Sequence, residues 1–183
     1  MKRYFTEETN FYGKLNPREL IKEFGSPLYV YNEAILRQRC RDMAQLVSYP
    51  GFVSNYSIKA NSNLELLKII RDEGLHADAM SPGEIYVLLA AGFKPEEIFF
   101  VANNVSCEEM QFAIDRGILV SCDSLSQLEQ FGRLNPGGRV AVRFNPGVGA
   151  GHHAKVITGG ENTKFGVNLE FIDDVREILK KYN

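Results

Sequence analysis

Tryptophan is absent from this chain of 183 residues, cysteine occurs only three times, and the formal net charge is −2. Cys40, Cys107 and Cys122 are odd in number and none is spaced as CxxC, which argues against a disulfide framework and against a structural zinc site. Reduced thiols in a cytoplasmic protein are the expectation, and no metal is expected. No long basic run occurs, so the electrostatic footprint of a nucleic-acid binder is missing. No apolar stretch approaches the roughly 18 residues of a membrane span, and the opening MKRYFTEETNFYG is polar, so neither insertion nor export is indicated. There is no Walker pattern. In GVGAG (147–151) the third glycine falls at the wrong spacing for a dinucleotide fingerprint, and no helix opens after it. What remains is an ordinary globular composition, 44% hydrophobic and 24% charged, with a small molecule as the expected partner.

From residue 51 onward the chain is periodic. Strand-like runs occur at 52–58 (FVSNYSI), 75–80 (LHADAM), 97–102 (EIFFVA), 118–123 (ILVSCD) and 139–145 (RVAVRFN). The first four lead into helical patterns opened by Ser62, Ser81, Ser106 and Ser124, each with Glu or Gln three residues on: Glu65, Glu84, Glu109 and Gln127. Such pairs are capping boxes, and their recurrence marks strand-to-helix junctions. Gly74, Gly92 and Gly117 close three of the helices. Alternating βα units with short connections imply parallel strands and right-handed crossovers, in a sheet either open or closed. Residues 146–166 form a long glycine-rich loop without periodicity, a length that usually signals function. A final helix is read over 168–182. The first 50 residues differ: a capped helix in NPRELIKEFG, a strand in SPLYVYN and an amphipathic helix in EAILRQRCRDMAQLV, assigned to a separate subdomain.

Lys59, in SNYSIKANSN, stands at the C-terminal end of the first strand of this repeat. Side chains at that end reach ligands in α/β barrels and open parallel sheets alike, although a lysine can also simply carry its ammonium to the rim of a sheet.

Four segments in order, YSIKANSN, HADAMSPGE, VRFNPGVGAGHH and TGGENTKFG, resemble the pyridoxal-phosphate decarboxylases of the alanine-racemase-like barrel fold, and among them most closely the diaminopimelate branch. The resemblance runs from about Pro27 to Gly166. It implies an α/β fold, a (β/α)8 TIM-type barrel that binds pyridoxal 5'-phosphate, preceded by a strand of the family's second β-domain. Residues 1–50 would contribute to that β-domain, and 51–183 would form the first five or so β/α units. Lys59 would carry the cofactor covalently, a role suited to a desolvated amine whose lowered pKa lets it attack an aldehyde. Asp78 and Arg143 would approach the cofactor. Glu84 would match a family glutamate, yet it also fits the capping box of Ser81. His152 and Lys164 would contact substrate. Val105, in NNVS, departs from the family, where a lysine is usual.

The implied reaction is decarboxylation of meso-diaminopimelate to L-lysine by a cytoplasmic homodimer. The alternatives are another basic amino-acid decarboxylase of the fold, acting on ornithine, arginine or carboxynorspermidine, or a non-catalytic relative that acts by subunit association. A closed barrel needs eight strands and only five are read here, so the chain is expected to be a fragment whose activity belongs to the complete protein.

Overall fold

The computed structural model describes residues 10–149, 159–160 and 163–183. Its centre is a parallel sheet of β1 (Asn55–Ser57), β2 (His76–Ala79), β3 (Ile98–Phe100), β4 (Leu119–Cys122) and β5 (Val140–Val142), whose spatial order is the order in the chain. A doubly wound open sheet reverses its order at a switch point, whereas a barrel adds each new strand to the same edge. The unbroken 1-2-3-4-5 order is the barrel pattern.

The strand pleat separates two faces. Ala77, Ala79, Ile98, Phe100, Val120 and Cys122 are buried beneath the helices, each at most 2% exposed. Against them pack α3 (Leu64–Asp72), α4 (Pro82–Ala90), α5 (Cys107–Ile114) and α6 (Leu125–Leu134) through Leu67, Ile70, Ile85, Leu88, Met110 and Leu128. Burying each large side chain contributes about 1.5–3 kcal/mol. Asp78 and Phe99 lie on the opposite face, less deeply buried.

Three of the four expected serine caps form. Ser81, Ser106 and Ser124 accept from the backbone N–H of Glu84, Glu109 and Gln127. Only Ser106 and Glu109 close a full box. Glu84 and Gln127 reach one residue further back, to the N–H groups of Met80 and Asp123. Ser62 does not cap. Asn63 does so instead, its Oδ1 accepting from Glu65 and Leu66, because its short side chain is already one residue closer to those donors. Gly74, Gly92 and Gly117 all take positive φ just beyond their helices, as expected.

Three further elements depart from the sequence reading. The run 26–32, read as a strand, pairs with nothing among the described residues: β propensity is present, but a strand exists only with a partner. β5 does not continue to Asn145. It breaks at Arg143 and resumes as β6 (Phe144–Asn145), which pairs in parallel with β7 (Val167–Asn168), two residues at the junction between the expected loop and the expected last helix. The last helix, α7, spans Ile172–Lys181 and is preceded by a 3-10 turn at Leu169–Phe171. Near the N-terminus, α1 (Pro17–Phe24) is capped by Asn16, and α2 (Glu33–Ala44) packs on α3.

Candidate active site

Lys59 lies just past β1 in a 3-10 turn, Ile58–Ala60, rather than in the strand itself. The turn is held from both sides. Ile58 is wholly buried, and its carbonyl accepts from the N–H of Asn61 over 3.0 Å. The Asn61 carbonyl accepts from Tyr56 Oη, its Nδ2 donates to Tyr31 Oη, and its Oδ1 accepts from the N–H of Asn63. The asparagine of the KAN motif is thus the clamp that presents the lysine. Lys59 itself is exposed, not desolvated as the sequence reading expects, because the turn lifts it clear of the strand, and it makes no hydrogen bond or ion pair within the described residues.

Asp78 stands directly opposite Ser57 in the β1–β2 register. Ser57 Oγ lies 2.8 Å from both carboxylate oxygens, so the aspartate is held by a side chain rather than by the backbone of a turn. Glu84 is occupied as a helix-start acceptor, 2.6 Å from the N–H of Met80.

Arg143 fills the break between β5 and β6. Its N–H donates to the carbonyl of Cys122 and its own carbonyl accepts from Val167, each over 2.8 Å. The guanidinium lies 4.7 Å from the centroid of the Phe165 ring, and Lys164 Nζ lies 5.4 Å from the same centroid. Arg143 and Lys164 thus share the Phe165 ring as a neighbour. His152 lies outside the described residues, as does His153.

Two residues of the site escaped the sequence reading. Asp123 follows β4 and is 9% exposed; its Oδ2 is buried and has no hydrogen-bond partner among the described residues. Burial pushes its carboxyl up, and the positive charges of Arg143 and Lys164 only partly oppose that. Its signal was a polar residue at a strand's C-terminal end, the same signal that singled out Lys59. Asn145 is 3% exposed and joins the two ends of the glycine-rich loop: Oδ1 accepts from the N–H groups of Gly147 and Gly160, and Nδ2 donates to the Gly160 carbonyl, all at 3.0 Å. Cys122, fully buried at the end of β4, has its thiol pushed up to about 12 by burial, which removes it as a nucleophile. No group of three or more His, Cys, Asp or Glu among the described residues could hold a metal ion.

Lys59 and Asp78 at the ends of β1 and β2, with Asp123 and Arg143 at the ends of β4 and β5, thus share one end of a barrel-type sheet, where a ligand on the axis meets several strands. The profile of the family described as pyridoxal-dependent decarboxylase, pyridoxal binding domain, matches residues 33–183. The chain belongs to the pyridoxal-dependent decarboxylases. As a member of that family it is similar to the diaminopimelate decarboxylase of Methanothermobacter thermautotrophicus, 47% identical over 152 residues, which are 81% of this chain and 36% of that protein. It is also 34% identical to the diaminopimelate decarboxylase of Escherichia coli strain K12, over 92% of this chain and 40% of that protein. The solved structure of diaminopimelate decarboxylase from Helicobacter pylori complexed with L-lysine matches with a TM-score of 0.86 at 28% identity, over 91% of this chain and 44% of that one. The chain thus spans about two fifths of the length of the relatives it matches, and its sheet is part of the decarboxylase barrel. No helix among the described residues is long and apolar enough to cross a membrane.

Proposed function

We propose that the protein carrying this chain decarboxylates meso-diaminopimelate to L-lysine and carbon dioxide with pyridoxal 5'-phosphate, Lys59 holding the cofactor. The observation that carries this reading is the placement of Lys59, clamped on a short turn at the C-terminal end of the first strand of a barrel-type sheet. The aldehyde of the cofactor takes its covalent tether from a lysine amine, and the turn holds this one where a ligand on the barrel axis would meet it.

The other residues fit the same group. Bound there, the cofactor supplies an electron sink for the carbon left when carbon dioxide departs. Arg143 offers a guanidinium to an anionic oxygen, a charge-assisted hydrogen bond that a neutral donor could not equal. Asp78 presents a carboxylate that can accept a proton-bearing group. Lys164, which shares the Phe165 ring with Arg143, is assigned to an anionic group of the substrate, and His152 to a further substrate contact. Diaminopimelate is favoured over ornithine or arginine by the names of the relatives at 34–47% identity, all covering more than four fifths of this chain. The complete protein is assigned to the cytoplasm as a homodimer, with the segment at 26–32 pairing into its second β-domain.

The test uses the full-length protein with pyridoxal phosphate. Wild type is expected to show the absorbance band of lysine-bound cofactor, fixed irreversibly by borohydride, and to release carbon dioxide from diaminopimelate. Lys59→Ala is expected to lose both the band and the turnover. Release from ornithine but not from diaminopimelate would overturn the substrate, and an unchanged band in Lys59→Ala would overturn the lysine.

A further inference from the structure

We infer that Ser57 is a positioning residue: its hydroxyl fixes the carboxylate of Asp78 on the face of the sheet where the cofactor is placed, a step that rests on the reading of Asp78 given above. The inference follows from register. Two residues stand directly opposite Asp78 on neighbouring strands, Ser57 on β1 and Phe99 on β3. Only the serine can donate. Its Oγ is equidistant, at 2.8 Å, from Oδ1 and Oδ2, so one hydroxyl proton serves both oxygens and holds both of them toward β1.

The count of donors gives the arrangement its use. An ionised carboxylate can accept about four hydrogen bonds, and Ser57 supplies a single proton. Among the described residues Asp78 makes no other hydrogen bond. Orientation is therefore fixed while most of the accepting capacity stays open to a ligand. A carboxylate without the hydroxyl would rotate about its side-chain bonds and would have to be ordered each time a ligand bound, at the expense of affinity. Ser57 also precedes Lys59 by two residues, so the chain segment that clamps the amine orients the acid on the adjacent strand.

The experiment measures the dissociation constant of pyridoxal phosphate, by the absorbance of the bound cofactor, in the full-length protein and four variants. Ser57→Ala is expected to weaken binding about tenfold, the order of one hydrogen bond to a charged group. Ser57→Thr keeps the hydroxyl on a side chain suited to a strand and is expected to bind within about twofold of wild type. Ser57→Ala combined with Asp78→Ala is expected to bind no more weakly than Asp78→Ala alone, since Ser57 acts only through the aspartate. If Asp78→Ala weakens binding while Ser57→Ala does not, or if the two losses simply add, the positioning role is wrong and the assignment of Asp78 stands. If Asp78→Ala binds as wild type does, the assignment of Asp78 falls and the role of Ser57 falls with it.

Discussion

Lys181 Nζ donates to Glu129 Oε1 across 2.6 Å, tying the last turn of α7 to the middle of α6. Tyr182 Oη donates to the same oxygen over 2.6 Å and an Arg133 guanidinium nitrogen over 3.1 Å. These donors, Lys181 foremost, hold the Glu129 carboxyl at about 2, below its ordinary value. A folded value below the unfolded one stabilises the fold at pH above the unfolded value and loses that contribution as the carboxyl protonates. The loss is therefore expected between about pH 4, the ordinary glutamate value, and pH 2. Amide exchange over 172–181 should accelerate in that window in wild type and show no such step in Glu129→Gln. Coincident profiles would sink the assignment.

Asp123 works in the opposite sense. Burial raises its carboxyl, so the fold favours the neutral acid, and stability falls as pH rises from the ordinary aspartate value through the raised one. Asp123→Asn keeps the shape and removes the titration. The variant is expected to lose that slope and to be the more stable protein above the window, as read from urea midpoints across pH. A wild type and a variant with parallel pH profiles would show that Asp123 is ionised at no cost.

Glu73 connects the N-terminal segment to the barrel. Its carboxylate, with a side chain only 12% exposed, takes Arg37 at 2.9 Å and Arg41 at 3.1 Å, both from α2. Replacing it with alanine leaves two guanidinium groups without their shared partner and is expected to destabilise the protein by about 1–3 kcal/mol. Arg41→Ala, at the more exposed end, is expected to cost at most about 1 kcal/mol. Chemical denaturation of the two variants orders them, and equal losses would contradict the shared-carboxylate account.

Local signals carried most of this fold. Ser81, Ser106 and Ser124 declared their helices because a cap is a contact within four residues, and the position of Lys59 just past β1 was legible from the strand-like run before it. What the sequence withheld depends on partners distant along the chain. The pairing of Ser57 with Asp78 exists only once β1 and β2 are in register, the charge of Arg143 acts on Asp123 only once β4 and β5 pair, and Asn145 reaches Gly160 across a loop. β7 has two residues, too few for any period to show, and SPLYVYN shows the converse, β propensity without a partner strand.

Gly166 offers the sharpest test of that β6–β7 pairing. Its φ is +80°, a conformation that residues with a Cβ rarely adopt, and an added Cβ would stand 2.8 Å from the backbone nitrogen of Asn145 and 3.0 Å from the carbonyl carbon of Phe144. These neighbours are main chain, so no side chain can turn aside to relieve the contact. Gly166→Ala must therefore push β7 away from β6, lengthening the bond from the Val167 N–H to the Arg143 carbonyl, now 2.8 Å. Phe165, immediately before, would shift from beneath the Arg143 guanidinium and take Lys164 with it. The expected cost is about 1–3 kcal/mol for the strained backbone alone. In the full-length protein, weakened pyridoxal phosphate binding should accompany that loss under the cofactor role proposed above for Arg143, which is displaced together with the strand. Gly74→Ala is the control: its φ is also positive, +84°, but its Cβ meets nothing within 4 Å and it lies in the helix-end turn after α3. It should lose stability yet bind the cofactor as wild type does. If Gly166→Ala and Gly74→Ala proved alike in both measurements, strain alone would account for the effect and the link from β7 to Arg143 would be refuted.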